Sequence, residues 1–498
     1  MTTTPVTQTP DWAALADTVS APTDLLIDGA WRSGSARMPV VSPIDGRVVS
    51  EVAFGGAAEV DAAVAAARAS FEDRRWAGMS PMDRKDVLIR WANLALEHAD
   101  DLAVLHALEM GKPAREARAV DMRAVYRTLR WYGEACDKVL DEMPKVADDA
   151  WAMIEREPAG VVGAITPWNF PLTIAAWKIA PALAVGCSMV LKPAENSPLS
   201  ALYLAQLGLE AGLPDGVLNV VNGTGAEAGS ALAAHGDVDV LTFTGSTATG
   251  RAVVAASAAS NLKRTWLELG GKGANVVFPD ADLDKAATMV AWSIFYNAGQ
   301  MCSAGSRLIV HESVKDVVVD AVLRIAERTQ PENPLAADAP MGAIVSSRQL
   351  DSIHGIVTEG LRDSGTLLTG GSPVRVDSGG SYYPPTVVDD VRPDSMLAQR
   401  EIFGPVLAVS TFTDEAQAIA IANGTPYGLA SAVWTRDINR ARRVSRALRM
   451  GVVWVNCYEE GDLTVPFGGV KQSGYGADKS LHAMEKFTDL KTTWIDLT

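Results

Sequence analysis

From Gly160 to Ala259 short apolar runs alternate with stretches of helical spacing, and this alternation limits the possible folds more than any other feature of the chain. Gly160-Val161-Val162-Gly163-Ala164-Ile165 reads as a strand, with a helix from about Pro171 to Gly186 behind it. Residues 188–193, 217–221 and 238–244 read as further strands, with helices over 197–211, 223–234 and 246–259. Strands joined by helical crossovers pair in parallel, because a connection of that length returns the chain to the same end of the sheet. A second α/β series starts near Gly270, with strands at 274–278, 307–311, 406–412, 431–435 and 452–456 and helices over 283–296, 314–328, 346–360 and 415–423. Ahead of both series, Asp28-Gly29 closes a hairpin over 25–31 and Asp45-Gly46 makes another turn. Helices follow over 57–71, 81–110 and 114–139, the second with Pro81 in its first turn. Residues 150–157 and 491–496 read as strands, and residues 1–20 as frayed or weakly helical.

Bulk properties narrow the function. The 498 residues suit two large or three smaller domains. Sixty acidic against 44 basic side chains give a net charge of −16, which argues against a nucleic-acid surface. Cys136, Cys187, Cys302 and Cys457 lie far apart, so a reducing compartment fits better than a disulfide scaffold. The six histidines have no metal-binding spacing, and no metal is expected. Met1 to Pro10 has neither the apolar core of a signal peptide nor the arginines of a transit peptide. No apolar run reaches about 18 residues, so no membrane span is expected and the cytoplasm is the expected location.

Ligands of open α/β sheets bind at loops beyond the carboxyl ends of strands, and several loops here carry chemistry. Cys302 sits among small residues in Asn297-Ala298-Gly299-Gln300-Met301-Cys302-Ser303-Ala304-Gly305-Ser306-Arg307. It reads either as a buried structural thiol or as a nucleophile on a tight turn. Asn169, in Thr166-Pro167-Trp168-Asn169-Phe170-Pro171, is either a turn residue or a donor to a developing oxyanion. Lys192-Pro193-Ala194-Glu195 is either a solvated charge pair or a ribose clamp whose carboxylate accepts from a 2′-hydroxyl and repels a 2′-phosphate. Phe243-Thr244-Gly245-Ser246 opens a helix and suits a pyrophosphate, whereas Gly223, Gly225 and Gly229 form only a weak GxGxxxG. Glu268-Leu269-Gly270-Gly271-Lys272 puts a possible general base beside two glycines.

Together these motifs, with Glu401-Ile402-Phe403-Gly404-Pro405-Val406 and the PFGGVKQSG run at 466–474, resemble the aldehyde dehydrogenase superfamily from about residue 20 to the C-terminus. The resemblance implies an α/β fold with a Rossmann-type parallel-sheet cofactor domain (20–140 and 159–268), an α/β catalytic domain (269–477) and a β oligomerisation arm (141–158 and 478–498). It implies NAD as cofactor, and Glu195 favours NAD over NADP. By position it makes Cys302 the nucleophile, Glu268 the general base, Asn169 the oxyanion donor and Lys178 a lysine near the catalytic centre. Cofactor contacts are implied at Ile165, Thr166, Pro167, Trp168, Lys192, Pro193, Ala194, Glu195, Gly225, Gly229, Phe243, Thr244, Gly245, Ser246, Thr249, Leu269, Gly270, Glu401 and Phe403.

Phe170, Trp177 and Phe467 fall where that family lines its aldehyde tunnel, beside Met301 and Ser303. Glu459, Glu460 and Asp462 are expected at the tunnel mouth, where they either face water or attract a cationic substrate tail. The C-terminal stretch is similar to the branch acting on γ-glutamyl-γ-aminobutyraldehyde and related ω-amino or guanidino aldehydes of polyamine breakdown. Broad-specificity aliphatic aldehyde or semialdehyde oxidation is the alternative, and intact Cys302, Glu268 and Asn169 argue against a non-enzymatic relative on the same fold. The arm implies a homodimer or homotetramer, and the only other partner expected is a small-molecule aldehyde.

Overall fold

The computed structural model describes residues 10–498. Two sheets organise them. The first has eight strands in the order Gly474–Tyr475, Arg264–Glu268, Val240–Thr244, Val161–Ile165, Ser188–Lys192, Leu218–Val220, Leu25–Ile27 and Ala30–Arg32. Its five central strands are parallel, as the alternation predicts. Three edge strands are antiparallel, so the sheet is mixed. The chain steps from Val161–Ile165 outward in one direction, then returns to lay Val240–Thr244 on the other side. That reversal leaves a crevice at the carboxyl ends of these two neighbours.

The second sheet has seven strands in the order Thr366–Thr369, Thr386–Asp389, Val406–Phe412, Arg307–His311, Ala274–Val277, Ala430–Trp434 and Val452–Val455. Its central strands are buried except at His311, as strands covered on both faces must be. One segment, Leu269–Gly273, leads from the carboxyl end of the first sheet to the amino end of the second. The two sheet ends therefore face each other across the loops that carry the motifs. A separate two-stranded ribbon pairs Ala150–Pro158 with Thr488–Asp496.

Several sequence expectations need correction. The helix over 81–110 is two helices, Pro81–Glu97 and Ala99–Met110, parted at His98, whose φ of −96° and ψ of 21° leave the helical well. The helix over 114–139 ends at Ala135 and carries a π-helical segment, Ala117–Met122. A hairpin of Ala36–Val41 and Val48–Phe54 surrounds the Asp45-Gly46 turn. Arg264–Glu268 is a strand that periodicity missed, because only its last two residues are buried. The strands Thr366–Thr369 and Thr386–Asp389 and the helix Ile438–Ala447 were also not anticipated. Of the stretch 1–20, residues 12–16 form a helix, and Met1–Thr9 lie outside the described residues.

Candidate active site

Cys302 follows a short turn in which Asn297, Ala298 and Gly299 all have φ between 51° and 70°. Left-handed backbone costs a non-glycine residue roughly 1–2 kcal/mol, so the surroundings must hold it. They do so with hydrogen bonds from every side. Asn297 donates through Nδ2 to the Asn169 and Gln300 carbonyls at 3.1 and 3.2 Å. Gln300 donates through Nε2 to the carbonyls of Asn297 and Ala343, and its Oε1 accepts from the Val345 N–H at 2.9 Å. A Cβ at Gly271 would overlap the Cys302 carbonyl oxygen, and one at Gly299 would overlap Gly404. These two glycines let neighbouring segments close on the turn.

Cys302 is half-buried and stands in the wall between two cavities. The first, of about 230 Å³, lies at the crevice of the first sheet. Pro167, Trp168, Asn169, Thr244, Gly245, Ser246, Glu268, Leu269, Gly270, Glu401 and Phe403 line it, together with Gln349, which sequence reasoning did not single out. Gln349 donates to the Phe403 carbonyl at 3.1 Å, and no motif marked it. Trp168 and Phe403 meet edge to face with centroids 5.3 Å apart. Glu401 accepts from the Gly271 N–H at 2.9 Å, and burial pushes its carboxyl up to about 7.

Strand register sets Ile165, Thr166, Lys192, Pro193, Ala194 and Glu195 beside this cavity without placing them in its wall. Ile165 pairs with both Lys192 and Phe243, so the ends of three strands align, and Thr166 donates its N–H to the Lys192 carbonyl. Lys192 is buried and reaches the half-exposed Glu195 at 3.3 Å. Pro193 and Ala194 connect them. Ser246 caps the helix Thr247–Ala259 by accepting from the Thr249 N–H at 3.2 Å. Gly225 faces open space, and Gly229 meets only the Thr224 carbonyl at van der Waals range. The Thr244 hydroxyl is buried with no partner.

The second cavity, of about 250 Å³, approaches Cys302 from the opposite side. Phe170, Trp177, Met301, Ser303, Glu459 and Phe467 line it, as do Ile174, Trp292, Tyr296, Asp121 and Lys479. Trp177 and Phe467 pack at 5.6 Å, and the Lys479 ammonium lies 5.3 Å from each ring. Burial pushes the Glu459 carboxyl up to about 7, against the opposing pull of Ser303 and Lys479, and its Oε1 has no partner.

The acidic loop does not make an acidic mouth. Asp462 is exposed and lines an outer basin of about 620 Å³ rather than the inner cavity. That basin also receives Arg123, Arg127 and Arg130, which share one face of the helix Arg123–Ala135 at i, i+4 and i+7, along with Glu134 and Lys479. Basic residues outnumber acidic ones there, because a distant helix supplies the charge.

Glu268 lines the same cavity as Cys302 from the end of its strand, where Gly474 pairs with it and Gly468 closes over it. Both its carboxyl oxygens are buried without a hydrogen-bond partner. Burial raises its proton affinity well above the usual carboxylate range, Asp478 adds to this, and Lys178 and Lys486 oppose it. Lys178 and Lys486 each hold one oxygen of Asp478 at 2.5 Å, all three side chains being nearly inaccessible. Burial also pushes the Cys302 thiol up, helped by the carboxylates of Glu459, Glu268 and Glu401.

The aldehyde dehydrogenase family profile matches residues 31–493. An NADP/NAD-dependent aldehyde dehydrogenase, PuuC of Escherichia coli, is 47% identical over 98% of both chains. A γ-glutamyl-γ-aminobutyraldehyde dehydrogenase from Burkholderia cenocepacia is 51% identical, with a TM-score of 0.96 over 98% of this chain and 99% of that one. An indole-3-acetaldehyde dehydrogenase in complex with NAD+ superposes with a TM-score of 0.97 at 46% identity, covering 98% and 99% of the two chains. The same profile spans the parallel centre of the first sheet, the whole second sheet and the loop that sets a thiol between two cavities, and this chain belongs to the aldehyde dehydrogenase family.

Proposed function

We propose that the protein oxidises an aldehyde to its carboxylic acid with NAD, through covalent intermediates on Cys302. The observation that carries this reading is the shared wall: one sulfur faces a crevice suited to a dinucleotide on one side and an apolar tunnel on the other. The residues fit NAD. Open space at Gly225, the unpartnered Thr244 hydroxyl and the N-terminus of the helix Thr247–Ala259 suit a diphosphate, and Glu195 with Lys192 suits an unphosphorylated ribose. Trp168, Glu401 and Phe403 would hold the nicotinamide end. When bound, NAD supplies the acceptor for the hydride.

The chain's own residues do the rest. The Cys302 thiol gives its proton to water, the sulfur bonds the aldehyde carbon, and the carbonyl π pair moves onto the oxygen as an oxyanion. Asn169 has one Nδ2 hydrogen committed to the Gln300 carbonyl at 3.0 Å and a second for that oxyanion. After hydride departure a thioester joins the substrate to Cys302. Glu268 then takes a proton from water while the water oxygen bonds the thioester carbon. The C–S bond breaks, the acid leaves and the sulfur is released. A buried carboxylate with raised proton affinity suits that task. Lys178 and Lys486, both held on Asp478, stand behind Glu268 and favour its ionised form.

For the substrate we propose an aldehyde of the ω-amino, γ-glutamylamino or guanidino class. The unpartnered Glu459 oxygen favours a nitrogen donor in the tunnel, and the basic outer basin favours a tail with its own carboxylate. A γ-glutamylamino aldehyde has both, and a relative is named for one. The aromatic lining supports a second reading, an apolar or aryl aldehyde, and another relative is named for indole-3-acetaldehyde. NADH formation with γ-glutamylaminobutanal, 4-aminobutanal, 4-guanidinobutanal and hexanal decides between them. A higher kcat/KM for hexanal, unchanged by Glu459→Gln, removes the first reading.

In this reading residues 20–140 and 159–268 bind the cofactor, 269–477 carry the chemistry, and 141–158 with 478–498 form the arm. Trp151, Leu490 and Trp494 are exposed on the arm ribbon, and a two-stranded ribbon is marginal alone, which supports a dimer or tetramer. Among the described residues no helix is long and apolar enough to cross a membrane. A reducing cytoplasm would keep Cys302 free.

A further inference from the structure

Asp478 is held by two lysines where one would pair it. Lys178, from the helix Pro171–Val185, takes Oδ2, and Lys486, just past the short helix His482–Glu485, takes Oδ1, each at 2.5 Å. All three are almost completely buried, and no other ion pair of either lysine is seen among the described residues. Lys486 is also fixed through its backbone, whose carbonyl accepts from the Trp266 indole at 3.1 Å. Trp266 lies on the strand that ends in Glu268. A buried charge without compensation is costly, so the sum over the cluster matters. With Glu268 protonated, two ammonium groups face one carboxylate and the cluster is left with one positive charge. With Glu268 ionised, two cations face two anions. The second lysine is thus the counter-charge of ionised Glu268. The other titratable groups near Glu268 are the Cys302 thiol and Glu401, which share its cavity. Neither supplies a positive charge.

We propose that Lys486 is a positioning residue whose charge, acting through Asp478, sets the pH at which Glu268 becomes a base for water. This deepens the proposed hydrolytic role of Glu268 and rests on it. Removing a nearby cation disfavours the carboxylate, so Glu268 should ionise only at higher pH without Lys486.

The test uses the full-length enzyme and p-nitrophenyl acetate with no dinucleotide present. The burst of nitrophenolate reads acylation of Cys302, and the steady rate reads thioester hydrolysis. Lys486→Gln and Lys486→Met should move the acid limb of the steady rate up by roughly one pH unit, a tenfold loss on the acid side with the alkaline plateau kept. Lys486→Arg should restore the limb. Gln keeps a hydrogen bond to Asp478 without the charge, so it decides the matter if Met does not fold. A Gln variant whose limb coincides with the native one, or whose rate falls equally at every pH, overturns the proposal. Glu268→Gln separates the two levels. If it leaves hydrolysis intact, Glu268 is not the base. If it stalls hydrolysis while the Lys486 variants leave the limb in place, only the role of Lys486 fails.

Discussion

Asn169 donates its side-chain N–H to the backbone carbonyl of Gln300 at 3.0 Å, tying the loop beyond one sheet to the turn that presents Cys302 in front of the other. The bond is buried and is reciprocated by Asn297, which donates to the Asn169 carbonyl. The proposed oxyanion donor and the turn carrying the thiol are therefore located by one another. Asn169→Ala should lower kcat by about 10²–10³, the usual loss for one oxyanion donor, with little change in KM. Steady-state kinetics on the preferred aldehyde checks this, and a loss confined to KM would point to a purely structural asparagine.

Glu268→Gln should separate the two half-reactions. The first turnover should still release NADH, while the thioester persists on Cys302. Rapid-quench mass spectrometry should show an acyl adduct that accumulates at neutral pH and is absent from Cys302→Ala.

The thiol should respond to charge in its walls. Burial and neighbouring carboxylates favour its protonated form, so alkylation by iodoacetamide should be slow at neutral pH and rise toward alkaline pH. Glu459→Gln removes one of those carboxylates. It should lower the thiol's proton affinity and speed alkylation several-fold, most clearly above about pH 7, where Glu459 itself is ionised. The rate measured against pH gives the sign directly.

Glu195→Ser should cut the preference for NAD over NADP by about tenfold, since it removes a partner for the 2′-hydroxyl and the repulsion of a 2′-phosphate. The ratio of kcat/KM for the two dinucleotides is the measurement, and an unchanged ratio would place the discrimination elsewhere.

The arm makes a prediction about assembly. Leu490 and Trp494 are 67% and 61% exposed in the chain alone. Leu490→Asp with Trp494→Asp should reduce the mass seen by light scattering to that of one chain, because a charge cannot be buried unpaired at a subunit contact.

The parallel centre of the first sheet and the turn around Cys302 were legible in the chain for local reasons. Val161–Ile165 and Ser188–Lys192 are fully buried, so the first is apolar throughout and the second is apolar between its two polar ends, and the helices show their own period. Cys302, Glu268 and Asn169 sit in compact motifs where chemistry and backbone constraint share a few residues. The strand Arg264–Glu268 was not legible, because its half-buried residues carry no clean period, and neither was the break at His98 inside a continuous apolar stripe. The charge arrangement was hidden for a different reason. Asp462 suggested an acidic mouth, yet Arg123 and Arg127 reach the same basin from a helix more than 300 positions earlier in the chain. Lys178 and Lys486 meet on Asp478 because the Gly474–Tyr475 strand pairs with Leu267 and Glu268 and draws the C-terminal segment inward. Periodicity records which face of an element is buried. Which distant charges share a cavity is decided by sheet register and helix packing, and only the folded chain contains that information.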